Sequence, residues 1–165
     1  MPDKILFLDI DGVFIPARAY YMAHQTKELV TQFDPCVVGM VNNLCKYKGY
    51  KLVVHSSWLR SSLFTTVLKE FKDVREHMID QGLLAEYFHE DWAVEYKFSS
   101  TRWDGILWWL DDHRDVIQYY VLEDEQCYYT GTTKFDGHII KTDFNEGLTY
   151  AQFQYIYNED YCDAY

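Results

Sequence analysis

The chain has 165 residues, 48% hydrophobic and 18% aromatic, with three prolines and a formal net charge of −11. This composition sets aside intrinsic disorder and fits one domain, residues 1–165, with room for a sizeable core. The acidity argues against strong sequence-independent nucleic-acid binding, because phosphates are repelled and no counterions are released.

The run Ile5-Leu6-Phe7-Leu8-Asp9-Ile10-Asp11-Gly12-Val13 opens the chain as a buried strand that ends in two acids and a glycine. Residues 14–33 are aromatic and irregular, and are read as a loop or small flap. Asp34-Pro35 is an N-cap followed by proline at the first helical position. Val37, Val38, Met40, Val41 and Leu44 give that helix its apolar face, and Gly49 ends it. Lys51 to His55 is a second short buried strand, leading into Ser56-Ser57-Trp58. A helix is expected from about Arg60 to Met78, with Leu63, Val67, Leu68 and Phe71 turned inward. The stretch from Gly82 to Lys97 has no clear period. Ser99-Ser100-Thr101 caps a helix whose apolar side carries Ile106, Leu107, Trp109 and Leu110, and which stops near His113. The spacing of Trp103, Trp108 and Trp109 reads as core, not as a base-stacking platform.

Tyr119 to Leu122 is a third buried strand, ending in Glu123-Asp124-Glu125. His138-Ile139-Ile140 is a fourth. The last helix begins at Gly147-Leu148-Thr149 and carries Phe153 and Ile156, and residues 158–165 form a mobile tail. Strands alternating with helices predict an α/β fold, a three-layer sandwich around a mainly parallel sheet. No apolar run spans a bilayer, and Met1-Pro2-Asp3-Lys4 leads into no secretory core, so a cytoplasmic protein with no membrane partner is expected. Cys36, Cys45, Cys127 and Cys162 have no Cys-x-x-Cys spacing and read as reduced thiols.

Strand tips that carry acids and serines converge at the carboxyl edge of such a sheet, where open α/β folds build their sites. Asp9 and Asp11, two residues apart on one strand, face the same way. With a phosphate ester at that edge, Asp9 can attack phosphorus as a carboxylate nucleophile, and Asp11 can protonate the leaving oxygen and then activate water. Magnesium suits Asp9, Asp11 through a nearby backbone carbonyl, and Asp124. Glu123 and Glu125 read as solvated or as neighbours of the ligands. Ser56 can hold a phosphoryl oxygen, helped by the amides around Gly12 and Ser57. The cation that holds the phosphate is either Lys97 or Arg102. His55, at a strand end, reads as a packed histidine.

Phe7-Leu8-Asp9-Ile10-Asp11-Gly12-Val13 resembles the first motif of the haloacid dehalogenase-like (HAD) superfamily. Val53 to Trp58 resembles its second motif, and Val121 to Asp124 its fourth. Phe33-Asp34-Pro35, Arg102-Trp103-Asp104-Gly105-Ile106 and Gly147-Leu148-Thr149 resemble the compact branch found in RNA-repair proteins. Leu59 interrupts that branch's Ser-Ser-Trp-Arg run, and Trp103 stands at its usual glycine. The resemblance implies a Rossmann-like fold, a magnesium-dependent phosphatase with an aspartyl-phosphate intermediate, and no large cap domain. Asp9 would be nucleophile, Asp11 acid/base, Ser56 phosphate ligand and Asp124 metal ligand. The segments 14–33 and 77–96 are too short for a cap. An open site suits a nucleotide monophosphate (a nucleotidase reading), a nucleic-acid terminal phosphate, or closure by a second subunit of a homo-oligomer. The contrasting expectation is a non-catalytic module that binds a protein through its acidic surface.

Overall fold

The computed structural model describes residues 2–22, 32–59, 71–95, 101–125 and 133–159. Five parallel strands form one sheet in the order β3-β2-β1-β4-β5. They are β1 (Asp3–Leu8), β2 (Tyr50–Val54), β3 (Phe88–Ala93), β4 (Val116–Glu123) and β5 (Ile139–Lys141). The helices are α1 (Ala17–Met22), α2 (Pro35–Lys48), α3 (Phe71–Asp80), α4 (Arg102–Asp112) and α5 (Tyr150–Glu159). This is the α/β fold expected of a HAD-like, Rossmann-like sandwich.

Alternation along the strands splits the core in two. Leu6 and Leu8 of β1, Leu52 and Val54 of β2, and Tyr120 and Leu122 of β4 face a layer containing α2 and α5, with Val41, Leu44 and Ile156 fully buried. Ile5, Phe7, Val53 and Val121 point to the other side, against Trp103, Ile106 and Trp109 of α4. With apolar side chains needed on both faces, β1 has no polar residue between Ile5 and Leu8, and the run of four apolar residues is explained.

Helix α2 begins as its sequence dictates. Asp34 accepts from the Cys36 amide at 2.8 Å, Pro35 fills a position that needs no N–H, and Gly49 adopts φ 76° after the last turn. In α4, Thr101 and Asp104 cap each other reciprocally, each side chain accepting from the other's amide.

Several boundaries differ from the sequence reading. The aperiodic stretch after Gly82 contains a 3-10 turn (Ala85–Tyr87) and the edge strand β3, which carries only two buried residues and so lacks a strand's apolar signal. The 14–33 segment contains the short helix α1, and its Arg18 is held by Asp34 at 2.7 Å and Glu146 at 2.8 Å. His138 precedes β5, with its ring stacked 4.1 Å from that of Tyr119. Helix α5 starts at Tyr150, three residues later than expected, and runs to Glu159, into the span expected to be a tail. Of the three tryptophans expected in the core, Trp108 is exposed on the outer side of α4, while Trp103 and Trp109 are buried. Residues 1, 23–31, 60–70, 96–100, 126–132 and 160–165 lie outside the described residues, so part of the 14–33 segment, the first half of the 60–78 helix and Lys97 do too. No described helix is long and apolar enough to cross a membrane.

Candidate active site

The chain runs β1-β2-β3 outward on one side, then crosses to β4 and β5 on the other. The reversal falls between β1 and β4, and at such a switch point the loops leave in opposite directions and open a crevice at the carboxyl ends of the strands. Backbone pairing continues just past the strands. The Asp9 amide donates to the Leu122 carbonyl at 3.1 Å and the His55 amide to the Leu8 carbonyl at 3.0 Å. Asp9, His55-Ser56 and Glu123-Asp124 therefore stand level along one edge.

Asp9 is 3% exposed. Its Oδ1 accepts from the Ile10 amide at 2.7 Å, and its Oδ2 accepts from Arg102 Nη1 at 2.8 Å. Arg102 reaches here because it is the first residue of α4, whose N-terminus abuts the same edge. Its Nη1 also lies 3.2 Å from Glu123 Oε2, and its Nη2 2.6 Å from Glu125 Oε2. Asp104, two residues on, is occupied in the helix cap. Burial disfavours the guanidinium charge, but Asp9 and Glu123 reverse that effect and raise the Arg102 pKa, so it stays cationic.

Asp9, Glu123 and Asp124 bring three carboxylate oxygens within 4.8 Å of one another. Burial and then the charge of Asp9 push the Glu123 pKa up, and burial with the same neighbour raises that of Asp124. Crowded acids that oppose each other's ionisation, all offering hard oxygen donors, fit a magnesium-like cation. Glu123, expected to be solvated or a mere neighbour, is fully buried within this cluster, because β4 continues one residue beyond the apolar pattern.

Gly12 makes the approach of Asp124 feasible. It adopts φ 69°, and a Cβ built on it would stand 2.3 Å from Asp124 Cγ. Thr142, just after β5, donates to the Gly12 carbonyl at 2.8 Å and anchors the same turn. Asp11 accepts at Oδ2 from the indole Nε1 of Trp58 at 2.8 Å. Burial raises the Asp11 pKa; the Trp58 bond opposes this, while Asp9 and Asp124 add to it.

Asp9, Asp11, Ser57, Arg102, Asp124, Glu125 and Phe144 line a cleft of about 360 Å³. Ser56 is not among these lining residues; it is fully buried, with its Oγ accepting from the Trp58 amide at 3.3 Å. His55 is also fully buried, and burial lowers its pKa to about 4, so it is neutral near pH 7.

A larger cleft of about 480 Å³ lies along β3 and the outer side of α4, with Glu90, Asp91, Glu95 and Asp112 on its walls. It is the roomier of the two, but four acids would repel a phosphate there. Beside it His89, Asp91 and His113 also come within 4.8 Å. Their polar atoms already have protein partners. His89 Nδ1 accepts from the Asp91 amide at 3.0 Å, and His113 Nδ1 faces the Trp109 carbonyl at 2.7 Å. The cluster is a clasp between β3 and the end of α4.

A family model described as the HAD domain in Swiss Army Knife RNA repair proteins matches residues 5–153. The chain belongs to this HAD family. No curated protein and no solved structure matches it. The match covers β2 to β5, β1 from Ile5 onward, and each acid of the cluster just described. Sequence reasoning did not anticipate the Trp58–Asp11 bond or Phe144 at the rim. The adjacency of Trp58 to Ser56-Ser57 was a usable signal for the first, because a residue two beyond a strand-tip serine starts the turn over the site. Phe144 had no such signal.

Proposed function

We propose that this HAD domain is a metal-dependent phosphohydrolase that acts through Asp9. The observation that carries the reading is the meeting of Asp9, Glu123 and Asp124 within 4.8 Å, with Arg102 Nη1 held 2.8 Å from Asp9. Repelling acids gathered around a nucleophile and a cation have a use in phosphoryl transfer, where charge on the phosphate must be neutralised and the attacking oxygen fixed.

Asp9, Glu123 and Asp124 would hold magnesium, which when bound supplies positive charge to the phosphate oxygens. Asp9 is aimed by the Ile10 amide on one oxygen and Arg102 on the other. Its carboxylate attacks phosphorus, and the phosphorus–oxygen bond to the leaving group breaks. Asp11 gives its proton to the departing oxygen, then takes one from the water that hydrolyses the aspartyl-phosphate and restores Asp9. Arg102 is the cation that can move from Asp9 to a phosphoryl oxygen, and Ser57, exposed on the cleft wall, is placed to donate to another.

Among the described residues no cap covers the cleft. An open mouth accepts a phosphate at the end of a long substrate, and the family description concerns RNA repair. A nucleic-acid terminal phosphate is therefore the favoured substrate class, with a nucleotide monophosphate next. The acidic surface implies that such an end is bound locally, without extensive backbone contacts. The test is phosphate release from p-nitrophenyl phosphate with magnesium, lost in Asp9→Asn. A panel of 3′- and 5′-phosphorylated oligonucleotides against mononucleotides then ranks the substrates. Full activity of Asp9→Asn would overturn the mechanism.

A further inference from the structure

We infer that Trp58 is a positioning residue that fixes which oxygen of Asp11 carries the transferable proton. This inference rests on the phosphohydrolase reading and adds a residue to which that reading gives no part.

Trp58 lies in the 3-10 turn Ser57–Leu59 that follows β2, and it is 3% exposed. Its amide is tied to Ser56 Oγ at 3.3 Å, and its ring packs 5.8 Å from that of His77 on α3. The indole is therefore held from two sides before it meets Asp11. An indole N–H only donates. Asp11 Oδ2, at 2.8 Å, accepts this bond. A carbonyl oxygen accepts better than a hydroxyl oxygen, so in protonated Asp11 the bond favours the proton on Oδ1.

Trp58 does not line the cleft, whereas Asp11 does. We assign Oδ1, the oxygen not bonded to the indole, as the one that meets a leaving group. A carboxyl group without this bond can rotate and present either oxygen.

The step affected is phosphorylation of Asp9. As the Asp9–phosphorus bond forms, the electron pair of the breaking phosphorus–oxygen bond goes to the leaving oxygen. That oxygen takes the proton from Asp11 Oδ1 and leaves Asp11 as carboxylate. An alkoxide leaving group needs this proton, and a dinitrophenolate does not. The ratio kcat/KM reads only this first step, so it separates orientation of the acid from general damage.

Trp58→Phe keeps a buried ring and removes the donor. With magnesium present, it is expected to lower kcat/KM for glycerol 2-phosphate by about ten- to a hundredfold, a part of the roughly 10²–10⁴-fold that general acid catalysis supplies, and that for 2,4-dinitrophenyl phosphate by less than about threefold. In an Asp11→Asn background the same change should have no further selective effect. If Trp58→Phe does not fold, Trp58 replaced by benzothienylalanine, which keeps the bicyclic shape and loses only the N–H, takes its place. Equal losses on both substrates, or no loss on either, would overturn the inference. Absence of turnover by the unsubstituted chain on both esters would instead overturn the phosphohydrolase reading beneath it.

Discussion

Gly12→Ala separates backbone strain from disruption of the acid cluster proposed to hold magnesium. Gly12 adopts φ 69°, a left-handed conformation that costs an alanine about 1–2 kcal/mol. The added Cβ would also stand 2.3 Å from Asp124 Cγ, where ordinary contact begins at 3.4 Å, so Asp124 must retreat by about 1 Å (3.4 − 2.3). Gly49 supplies the control. It has nearly the same backbone, φ 76°, and a Cβ there meets nothing within 4 Å. For a chain of this size, 1–2 kcal/mol corresponds to roughly 2–8 °C in Tm; Gly49→Ala should lose about that much, and Gly12→Ala more, because its Cβ also meets Asp124. Only Gly12→Ala should also lose magnesium affinity by calorimetric titration, by about tenfold or more, since displacing groups around a metal costs that much. If Gly12→Ala bound magnesium as tightly as the parent and matched Gly49→Ala in Tm, the reasoning about Asp124 would be refuted.

Other outcomes follow from the same geometry. Burial keeps His55 from taking a proton until about pH 4, whereas the unfolded chain takes it near 6.5. The unfolded state thus binds more protons between these values, and stability should fall by about 3 kcal/mol as pH drops across the window, with no contribution from this group above it. Urea unfolding against pH should show a slope reduced in His55→Gln; identical slopes would contradict the assignment. Arg102→Met leaves Asp9 and Glu123 without their cation and should destabilise by about 3 kcal/mol, partly recovered by added magnesium in a thermal melt. Equal sensitivity of parent and variant to magnesium would count against the cluster as its binding place. Iodoacetamide under native conditions should label exposed Cys36 and spare Cys45, whose thiol is buried and pushed up to about 12. Peptide mass mapping reads both, and prompt labelling of Cys45 would mean that α2 opens readily.

The parts legible in sequence are those where local chemistry and tertiary role coincide. Leu6 to Leu8 must be apolar to be buried on both faces, and Asp34-Pro35 and Thr101 cap helices by contacts three residues long or less. Asp9 and Asp11 stood out because acids at the end of a buried strand are costly without a purpose. Edge strand β3 was illegible because it buries little. Helix α1 was hidden for a related reason, its six residues too few to establish a period. The role of Glu123 was obscured by Asp124 and Glu125 beside it, since sequence does not reveal where β4 stops. Arg102 was half legible. Its position at a helix start was clear, but its pairing with Asp9, 93 residues away in the chain, depends on how α4 crosses the sheet. For Trp58 the sequence offered only its adjacency to Ser56-Ser57; the bond to Asp11, 47 residues away, is made by folding and not by spacing.

The most direct measurement is to trap the phosphorylated protein. Rapid acid quench with a ³²P-labelled substrate and magnesium should leave one phosphate per chain, labile to hydroxylamine as an acyl phosphate is, and mapped by peptide mass to Asp9. Asp9→Asn should carry none. Turnover with no phosphorylated chain at any time, or a phosphate mapped to another residue, would contradict the central claim that Asp9 is the nucleophile at the rim of this sheet.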